Sequence, residues 1–169
     1  MVADTHLFAA PAVSSPRLAP QDGTALVEFL AFLVGDEEYC LPVMLVREIR
    51  GWSQPTPLPH ANTALVGVIN LRGTVLPVID LGKALALPCA DPKQRPVVIV
   101  VEDSARLGGL IVDRVLDIIA LPAASLEPPP AIPTQGGIVC IAALALHDGR
   151  LLRILNPSAL LPAHRKDPV

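Results

Sequence analysis

Proline and glycine interrupt nearly every apolar stretch of this chain, and their spacing limits the secondary structure that it can form. The 169 residues include 19 prolines and 11 glycines. Proline lacks a backbone N–H and breaks a helix interior, and glycine weakens helices and strands through its conformational entropy. The frequency of these residues argues against a helix bundle and favours short strands joined by many turns.

Short polar interruptions between aliphatic runs predict three β-hairpins. These interruptions are Gly35-Asp36-Glu37-Glu38, Arg72-Gly73-Thr74 and His147-Asp148-Gly149-Arg150. Asp-Gly is a strong hairpin signal, and Gly73 can supply a positive φ. Three more aliphatic segments, 96–102, 107–112 and 115–121, predict a meander of consecutive strands.

The segments between these strands carry weaker signals. VMLVREIR at 43–50 fits either a helical turn or a twisted strand, and its type stays open. GWSQPTPLPHAN at 51–62 contains three prolines and predicts an extended connector outside any central ladder. Asp80 predicts the N-cap of a short helix over 81–87, and Asn156 predicts the cap of a terminal one. The resulting nine or ten short strands are typical of barrels or sandwiches, arranged here as two small sheet units.

Charge and apolar patterning exclude several classes of function. The formal net charge is -3, and without clustered Lys and Arg we expect no nucleic-acid partner. The longest apolar runs, 97–101 and 138–146, fall far short of the ~20 residues of a membrane-spanning helix, so we expect no membrane insertion. The first residues lack the pattern of a signal peptide, which predicts a cytoplasmic location. Residues 1–24 show no sustained apolar period and predict a flexible tail.

No arrangement of reactive side chains points to catalysis, a metal or a cofactor. The histidines fall in the predicted tail, connector, turn and C-terminal end: His6, His60, His147 and His164. No serine lies in a Gly-x-Ser-x-Gly turn, and the three cysteines lack the spacing of a zinc site. Cys40 and Cys140 lie inside apolar runs, where a free thiol acts as a small hydrophobe. We therefore expect no catalytic residue, no metal ligand and no cofactor.

Six further segments form an ordered series along the chain. They are VREI at 46–49, PLP at 57–59, GVINLRG at 67–73, PVIDL at 77–81, LGGLIVDRVLDI at 107–118 and GRLLRILNPSALL at 149–161. In order and spacing this series resembles the CheW family of chemotaxis coupling proteins. The resemblance covers residues 25–162 and leaves 163–169 as a C-terminal tail. It implies an all-β fold of two small five-stranded β-barrel-like (SH3-like) subdomains with few short helices.

The same resemblance implies a non-catalytic adaptor. In the family, such a protein couples chemoreceptors (methyl-accepting chemotaxis proteins) to a CheA-type histidine kinase in a bacterial chemotaxis or motility array. The implied partners are the cytoplasmic signalling tip of the receptor and the regulatory domain of the kinase, which has the same fold. The alternative is a small ligand-binding or enzymatic β-barrel protein unrelated to chemotaxis.

The candidate partner-binding residues lie in and around the NLRG stretch. They are Val46, Glu48, Val68, Asn70, Leu71 and Arg72. The planar guanidinium of Arg72 suits a carboxylate on a partner or an acid of its own chain such as Glu48, and both can hold at once. Gly67 and Gly73 are interpreted as backbone requirements of a turn or a close approach. Trp52, beside the connector, fits either a partner anchor or a lid packed over the barrel.

Overall fold

The structure is a computed structural model that describes residues 25–59, 61–88, 95–131 and 140–163. These residues form ten strands: β1 Leu26–Val34, β2 Glu37–Pro42, β3 Val46–Gly51, β4 Leu65–Leu71, β5 Thr74–Asp80, β6 Val97–Asp103, β7 Arg106–Val112, β8 Arg114–Pro122, β9 Ile141–His147 and β10 Arg150–Leu155. Two single-turn helices follow strands, α1 at Leu81–Ala84 and α2 at Pro157–Leu160, and 3-10 turns cover Val43–Leu45 and Ala123–Ser125. The predicted tail at 1–24 and most of 163–169 lie outside the described residues.

The strands divide into two five-stranded sheets. The first sheet has the order β8-β1-β2-β10-β9 and the second has the order β3-β6-β7-β5-β4. Neighbouring strands run antiparallel except for the parallel pairs β2–β10 and β5–β7. We call these units the first and second subdomains. The predicted all-β fold of two five-stranded, SH3-like units with few short helices is confirmed.

The second subdomain is one continuous stretch of chain, β3 to β7, inserted into the first. The predicted meander of three consecutive strands is therefore wrong. β6 and β7 form a hairpin, but β8 crosses to the first subdomain and pairs with β1 from Leu26↔Pro122 to Leu33↔Arg114. The aliphatic pattern of β8 marks a strand, but it carries no information about which distant strand is its neighbour.

Three apolar cores stabilise the fold, one inside each subdomain and one shared between them. The first subdomain encloses Phe29, Ala31, Cys40, Leu121, Ala145, Leu152 and Ile154. The second encloses Ile69, Leu76, Val78, Val98, Val100 and Ile111. Between the sheets lies a larger shared core, which includes Leu30, Phe32, Leu41, Ile99 and Leu110. Because successive side chains alternate between the faces of a strand, β1 is buried on both faces, and this explains its unbroken apolar run.

Buried cysteines contribute to these cores as small hydrophobic residues. Cys40 and Cys140 are both free and buried, as the sequence predicts. Burial raises the pKa of the Cys40 thiol to about 12, and burial also raises the pKa of Cys140. Both thiols are therefore protonated and unreactive at neutral pH.

The hairpins predicted around Arg72-Gly73-Thr74 and His147-Asp148-Gly149-Arg150 are confirmed, with two-residue turns at 72–73 and 148–149 because the flanking residues belong to the strands. Arg72 and Gly73 have φ values of 49° and 85°, and Asp148 and Gly149 have 49° and 74°. Two consecutive positive φ angles are the signature of a type I′ turn, which matches the twist of the flanking strands.

The first hairpin has a shorter loop than the predicted one. Only Gly35 and Asp36 form its turn, because Glu37 and Glu38 belong to β2. There Glu37 pairs with Arg153 at 3.3 Å and Glu38 pairs with Arg150 at 3.1 Å. These β10 arginines give both carboxylates partners within the sheet, so acidic residues extend the strand.

Both predicted helix caps are confirmed. Asp80 Oδ1 accepts from the Lys83 backbone N–H at 3.1 Å, and Asn156 Oδ1 accepts from that of Ser158 at 3.1 Å. Helix α1 is shorter than the predicted 81–87, because Ala86 adopts a φ of 54°. The Leu87 N–H then bonds back to the Gly82 carbonyl at 2.9 Å, as in a Schellman stop. The open assignment at 43–50 resolves into a 3-10 turn followed by β3.

Substituting Ala105 by glycine is expected to stabilise the protein by ~0.5–1 kcal/mol, because Ala105 holds a left-handed backbone that costs a residue with a Cβ more than it costs glycine. Ser104 and Ala105 form the β6–β7 turn with φ values of 51° and 64° and no glycine. Thermal unfolding should show a melting temperature a few degrees higher than that of the parent. As a control, Ala142→Gly on exposed β9 should lower the melting temperature. A lower value for Ala105→Gly would contradict the prediction.

Candidate functional site

An ion pair joins the two outermost strands of the second subdomain. Glu48 lies on β3 and Arg72 lies in the turn after β4, and these strands stand at opposite ends of the sheet order. Arg72 Nη2 nevertheless donates to Glu48 Oε2 at 2.8 Å. Arg50 Nε lies 3.7 Å from the other Glu48 oxygen. The pair therefore closes the seam where the sheet curls back on itself.

Arg72 remains accessible although it is paired. Its side chain is 77% exposed, whereas that of Glu48 is 23% exposed. Within the described residues only Nη2 has a hydrogen-bond partner, so most of the five guanidinium N–H donors face solvent. An exposed pair of this kind stabilises a fold by ~1 kcal/mol at most. The intramolecular bridge is thus present, and it leaves donors free for a second carboxylate.

Asn70 positions the turn that carries Arg72. Its Oδ1 accepts from the Gly73 backbone N–H at 2.8 Å. Strand alternation places Asn70 and Val68 on one face of β4, and Ile69 and Leu71 on the face that packs on the second subdomain's core. Leu71 is therefore half-buried, and Asn70 acts on the backbone of the turn.

Val46 lies apart from this turn. It is the first residue of β3, is half-buried, and packs against the shared core between the subdomains. A register shift between Val46 and Glu48 interrupts the β3–β6 ladder. The structure thus brings together Glu48, Asn70 and Arg72 from the sequence-predicted set and separates Val46 from them.

Gly67 lies within β4 and allows the proline-rich connector to approach it. Thr56 of the connector and Val68 exchange two backbone hydrogen bonds, at 2.8 and 2.9 Å. A Cβ on Gly67 would lie 2.2 Å from the Thr56 carbonyl oxygen. The connector is thus outside the main ladder, as the sequence predicts, but one residue pair anchors it to the edge of β4.

Exposed apolar side chains lie next to the Arg72 turn in the β4–β5 hairpin and in the chain that follows β3. Val75, 64% exposed, lies opposite Asn70 in the β4–β5 hairpin. Trp52, 44% exposed, lies in the chain between Glu48 and Thr56, both of which contact β4 or its turn. Trp52 belongs to none of the three buried cores, so it is not a packed lid. We call Glu48, Trp52, Asn70, Arg72 and Val75 the seam face; period-two alternation along β5 is the sequence signal that marks Val75.

Two exposed isoleucines, one in each subdomain, share a sheet face with residues of the shared core. Ile49 lies opposite Ile99, and Ile118 lies opposite Leu30. Residues directly opposite in a ladder share one face of the sheet, and Ile99 and Leu30 both belong to the shared core. Ile49 and Ile118 are nevertheless 48% and 53% exposed.

Met44 is grouped with these two isoleucines. It lies in the 3-10 turn between the subdomains and is 95% exposed. We call Met44, Ile49 and Ile118 the core margin. Sequence reasoning missed it, because these residues read as ordinary strand or turn hydrophobics.

Neither a metal-binding cluster nor a membrane-spanning helix occurs among the described residues. Across 25–59, 61–88, 95–131 and 140–163, no group of three His, Cys, Asp or Glu side chains is placed to hold a metal ion. In the same ranges, no helix is long and apolar enough to span a membrane.

Comparison with known proteins identifies the family of this chain. The family model described as CheW-like domain matches residues 28–165. The chemotaxis protein CheW of Rhizobium meliloti (strain 1021) is 38% identical over 140 residues, covering 83% of this chain and 90% of that protein. The chemotaxis protein CheW of Bacillus subtilis (strain 168) is 34% identical over 134 residues, covering 79% of this chain and 86% of that protein.

A solved structure agrees with these relatives. The crystal structure of the scaffolding protein TtCheW from Thermoanaerobacter tengcongensis superposes with a TM-score of 0.72 at 30% identity, covering 78% of this chain and 90% of that one. The matches give no support to an unrelated ligand-binding or enzymatic barrel. The chain therefore belongs to the CheW family of chemotaxis coupling proteins, which are adaptors and not enzymes.

Proposed function

We propose that this protein binds the cytoplasmic signalling tip of a chemoreceptor and the regulatory domain of a CheA-type histidine kinase at the same time, within receptor arrays in the cytoplasm. One observation carries the proposal. Glu48 and Ile49 are consecutive residues of β3, and consecutive side chains of a strand point to opposite faces. The Glu48 side chain, which holds Arg72, and Ile49 of the core margin therefore point to opposite faces of β3, which supports separate surfaces for the two partners.

The seam face suits the kinase regulatory domain. Trp and Arg are enriched at interface hot spots, and the second subdomain exposes both Trp52 and Arg72. The guanidinium of Arg72 is planar, and its remaining N–H donors can bind a carboxylate of the partner. Glu48 and Asn70 hold that guanidinium and its turn in place, while Leu71 packs on the second subdomain's core and Val68 pairs with Thr56 of the connector.

The core margin suits the receptor tip. Exposed apolar side chains that continue a buried core mark interaction surfaces more often than isolated ones do. Ile118 comes from the first subdomain and Ile49 from the second, so this surface depends on both. Val46, on the same strand as Ile49, packs on the shared core. This contact holds β3 against the core and so helps to position Ile49.

Arg72→Glu is expected to weaken binding of the kinase regulatory domain by more than ~10-fold, because it opposes a complementary charge at an interface. The melting temperature should change little, since an exposed ion pair adds ~1 kcal/mol or less. Calorimetric titration with the isolated regulatory domain and a receptor-tip fragment measures both affinities, and a thermal melt measures stability.

Arg47→Glu is the matched control. Arg47 is also on β3, is 63% exposed and pairs with a glutamate, Glu102, but it lies outside the seam face. It should leave both affinities close to the parent values. Unchanged affinities in Arg72→Glu would remove Arg72 from the interface, and a parent protein that binds neither partner would refute the proposed function.

A further inference from the structure

Polar contacts tie the two subdomains together at both ends of one strand, β7. Arg106 is the first residue of this strand, and Asp113 directly follows its last residue. Seven residues of strand separate the ends by ~23 Å. Because the two ties lie far apart along β7, together they restrict the relative orientation of the subdomains.

The tie at Asp113 lies where the chain crosses from the second subdomain to the first. Asp113 Oδ2 accepts from the Gly35 backbone N–H at 2.5 Å. The Asp113 N–H donates to the Leu33 carbonyl at 3.0 Å. The crossover is thus held against the β1–β2 turn by covalent connection and by two hydrogen bonds, and it is a fixed point.

The tie at Arg106 depends on the end of the chain. Helix α2 directly follows β10 of the first subdomain but docks on the β6–β7 hairpin of the second. Arg106 Nη1 donates to the carbonyls of Ser158 and Leu161 at 3.2 and 3.5 Å. The Ser158 hydroxyl donates to the Asp103 carboxylate, and this bond lowers the pKa of that carboxyl below its ordinary value.

Leu161 adds close packing to these bonds. A Cβ on Gly108 would lie 2.4 Å from Leu161 Cδ2, so the leucine sits directly over the bare backbone of β7. We call Asp103, Arg106, Gly108, Ser158 and Leu161 the C-terminal clamp. It combines directional hydrogen bonds with a shape-specific contact between elements of different subdomains.

The shared core and the hydrogen bonds of the clamp restrict the subdomains in different ways. Apolar burial supplies adhesion that is non-directional and scales with area, whereas hydrogen bonds weaken steeply away from their preferred angles. With the hydrogen bonds of Arg106 removed, the shared core and the two chain crossovers, at Val43–Leu45 and at Asp113, still hold the subdomains together, but fewer directional contacts act between them. The angle between the sheets is then less restricted.

We propose that the C-terminal clamp fixes the angle between the subdomains and thereby shapes the core margin for the receptor tip. This inference rests on the proposed function. The core margin takes Ile118 from one subdomain and Ile49 from the other, so its shape follows the angle. The seam face lies wholly within the second subdomain and does not follow it. Clamp residues are thus positioning residues for receptor binding alone.

Arg106→Ala is expected to weaken binding of a receptor-tip fragment by ~10-fold, while affinity for the kinase regulatory domain stays within ~2-fold. Arg106→Lys keeps the positive charge but replaces the planar guanidinium by a single ammonium group. It should therefore restore part of the lost affinity for the receptor tip. Isothermal titration with each purified partner measures both affinities on the full chain.

A stability-matched control separates the effect of the clamp on the subdomain angle from the effect of reduced stability alone. Ile154→Val removes one methylene from the first subdomain's own core and should cost ~0.5–1.5 kcal/mol, without touching the clamp. It should lower the melting temperature and leave receptor binding unchanged. If Ile154→Val weakens receptor binding as much as Arg106→Ala does, the inference is overturned.

A direct distance measurement tests the angle itself. Spin labels on cysteines placed at exposed Lys83 and Ala142, one in each subdomain, report the spacing in a Cys89→Ser background, where the buried Cys40 and Cys140 do not react. The distance distribution should broaden in Arg106→Ala. An unchanged distribution, or an equal loss of affinity for both partners, would overturn the inference. Failure of the parent to bind either partner would instead refute the proposed function.

Discussion

Phe32→Ala is expected to lower the free energy of unfolding by ~3–5 kcal/mol and to destabilise both subdomains together. Phe32 is fully buried in the shared core, with its ring 6.4 Å from that of Tyr39. The same core contains Ile99 and Leu110 of the second subdomain. A cavity at this position therefore removes contacts from both sheets.

Urea unfolding followed by two signals checks this result. Fluorescence of Trp52, the only tryptophan, reports on the second subdomain, and far-ultraviolet circular dichroism reports on both. The two transitions should coincide and shift together to lower urea concentration. Coincidence is the standard sign of cooperative unfolding.

Phe29→Ala is the matched control on the same strand. Phe29 is also buried but faces the first subdomain's own core, on the opposite side of β1. Because the shared core couples the subdomains, removal of the Phe29 ring should also shift the Trp52 transition to lower urea concentration. A Trp52 transition that stays in place in either variant would show that the second subdomain unfolds independently.

Gly67→Ala is expected to destabilise the protein by ~1–3 kcal/mol, the usual cost of overpacking, and to weaken kinase binding as well. The added Cβ would overlap the Thr56 carbonyl, and backbone atoms cannot avoid it by changing rotamer. The Thr56–Val68 hydrogen bonds must break, and the connector that carries Trp52 then leaves the edge of β4. Thermal unfolding and titration with the regulatory domain measure the two effects.

Gly51→Ala tests whether any glycine in an edge strand would behave in this way. Gly51 ends β3, and a Cβ built there meets no atom within 4 Å. This variant should change stability by no more than ~0.5 kcal/mol. Equal losses in both variants, or full kinase affinity in Gly67→Ala, would contradict the role assigned to the Thr56 contact.

Turns and caps were predictable because their causes lie within a few residues. Asp148-Gly149 specifies a type I′ hairpin, and the side chain of Asp80 reaches a backbone N–H three positions along the chain. The errors occurred where distant residues intervene. Glu37 and Glu38 extend β2 because arginines of β10, 116 and 112 positions away, pair with them.

The candidate site was predictable in part. The NLRG stretch indicates Arg72 as a site residue. Its intramolecular pair with Glu48, one of the two predicted arrangements, is present in the structure. The exposure of Trp52 was not visible in the sequence, because it depends on how the connector docks on β4, whereas side-chain alternation along β5 marks Val75. Val46 was grouped with Arg72 by proximity in the motif series, but strand geometry assigns it to the shared core.

The sequence by itself determined the strands, the hairpin turns, the helix caps and the family, since these depend on local backbone preferences and on an ordered series of short segments. Tertiary structure alone decided which strands became neighbours, that β1 is buried on both faces, and that α2 of one subdomain is clamped on the other. The physical reason is that pairing order and burial arise from contacts between residues far apart in the chain. Alternation of side chains shows that a strand has two faces but not what each face will meet.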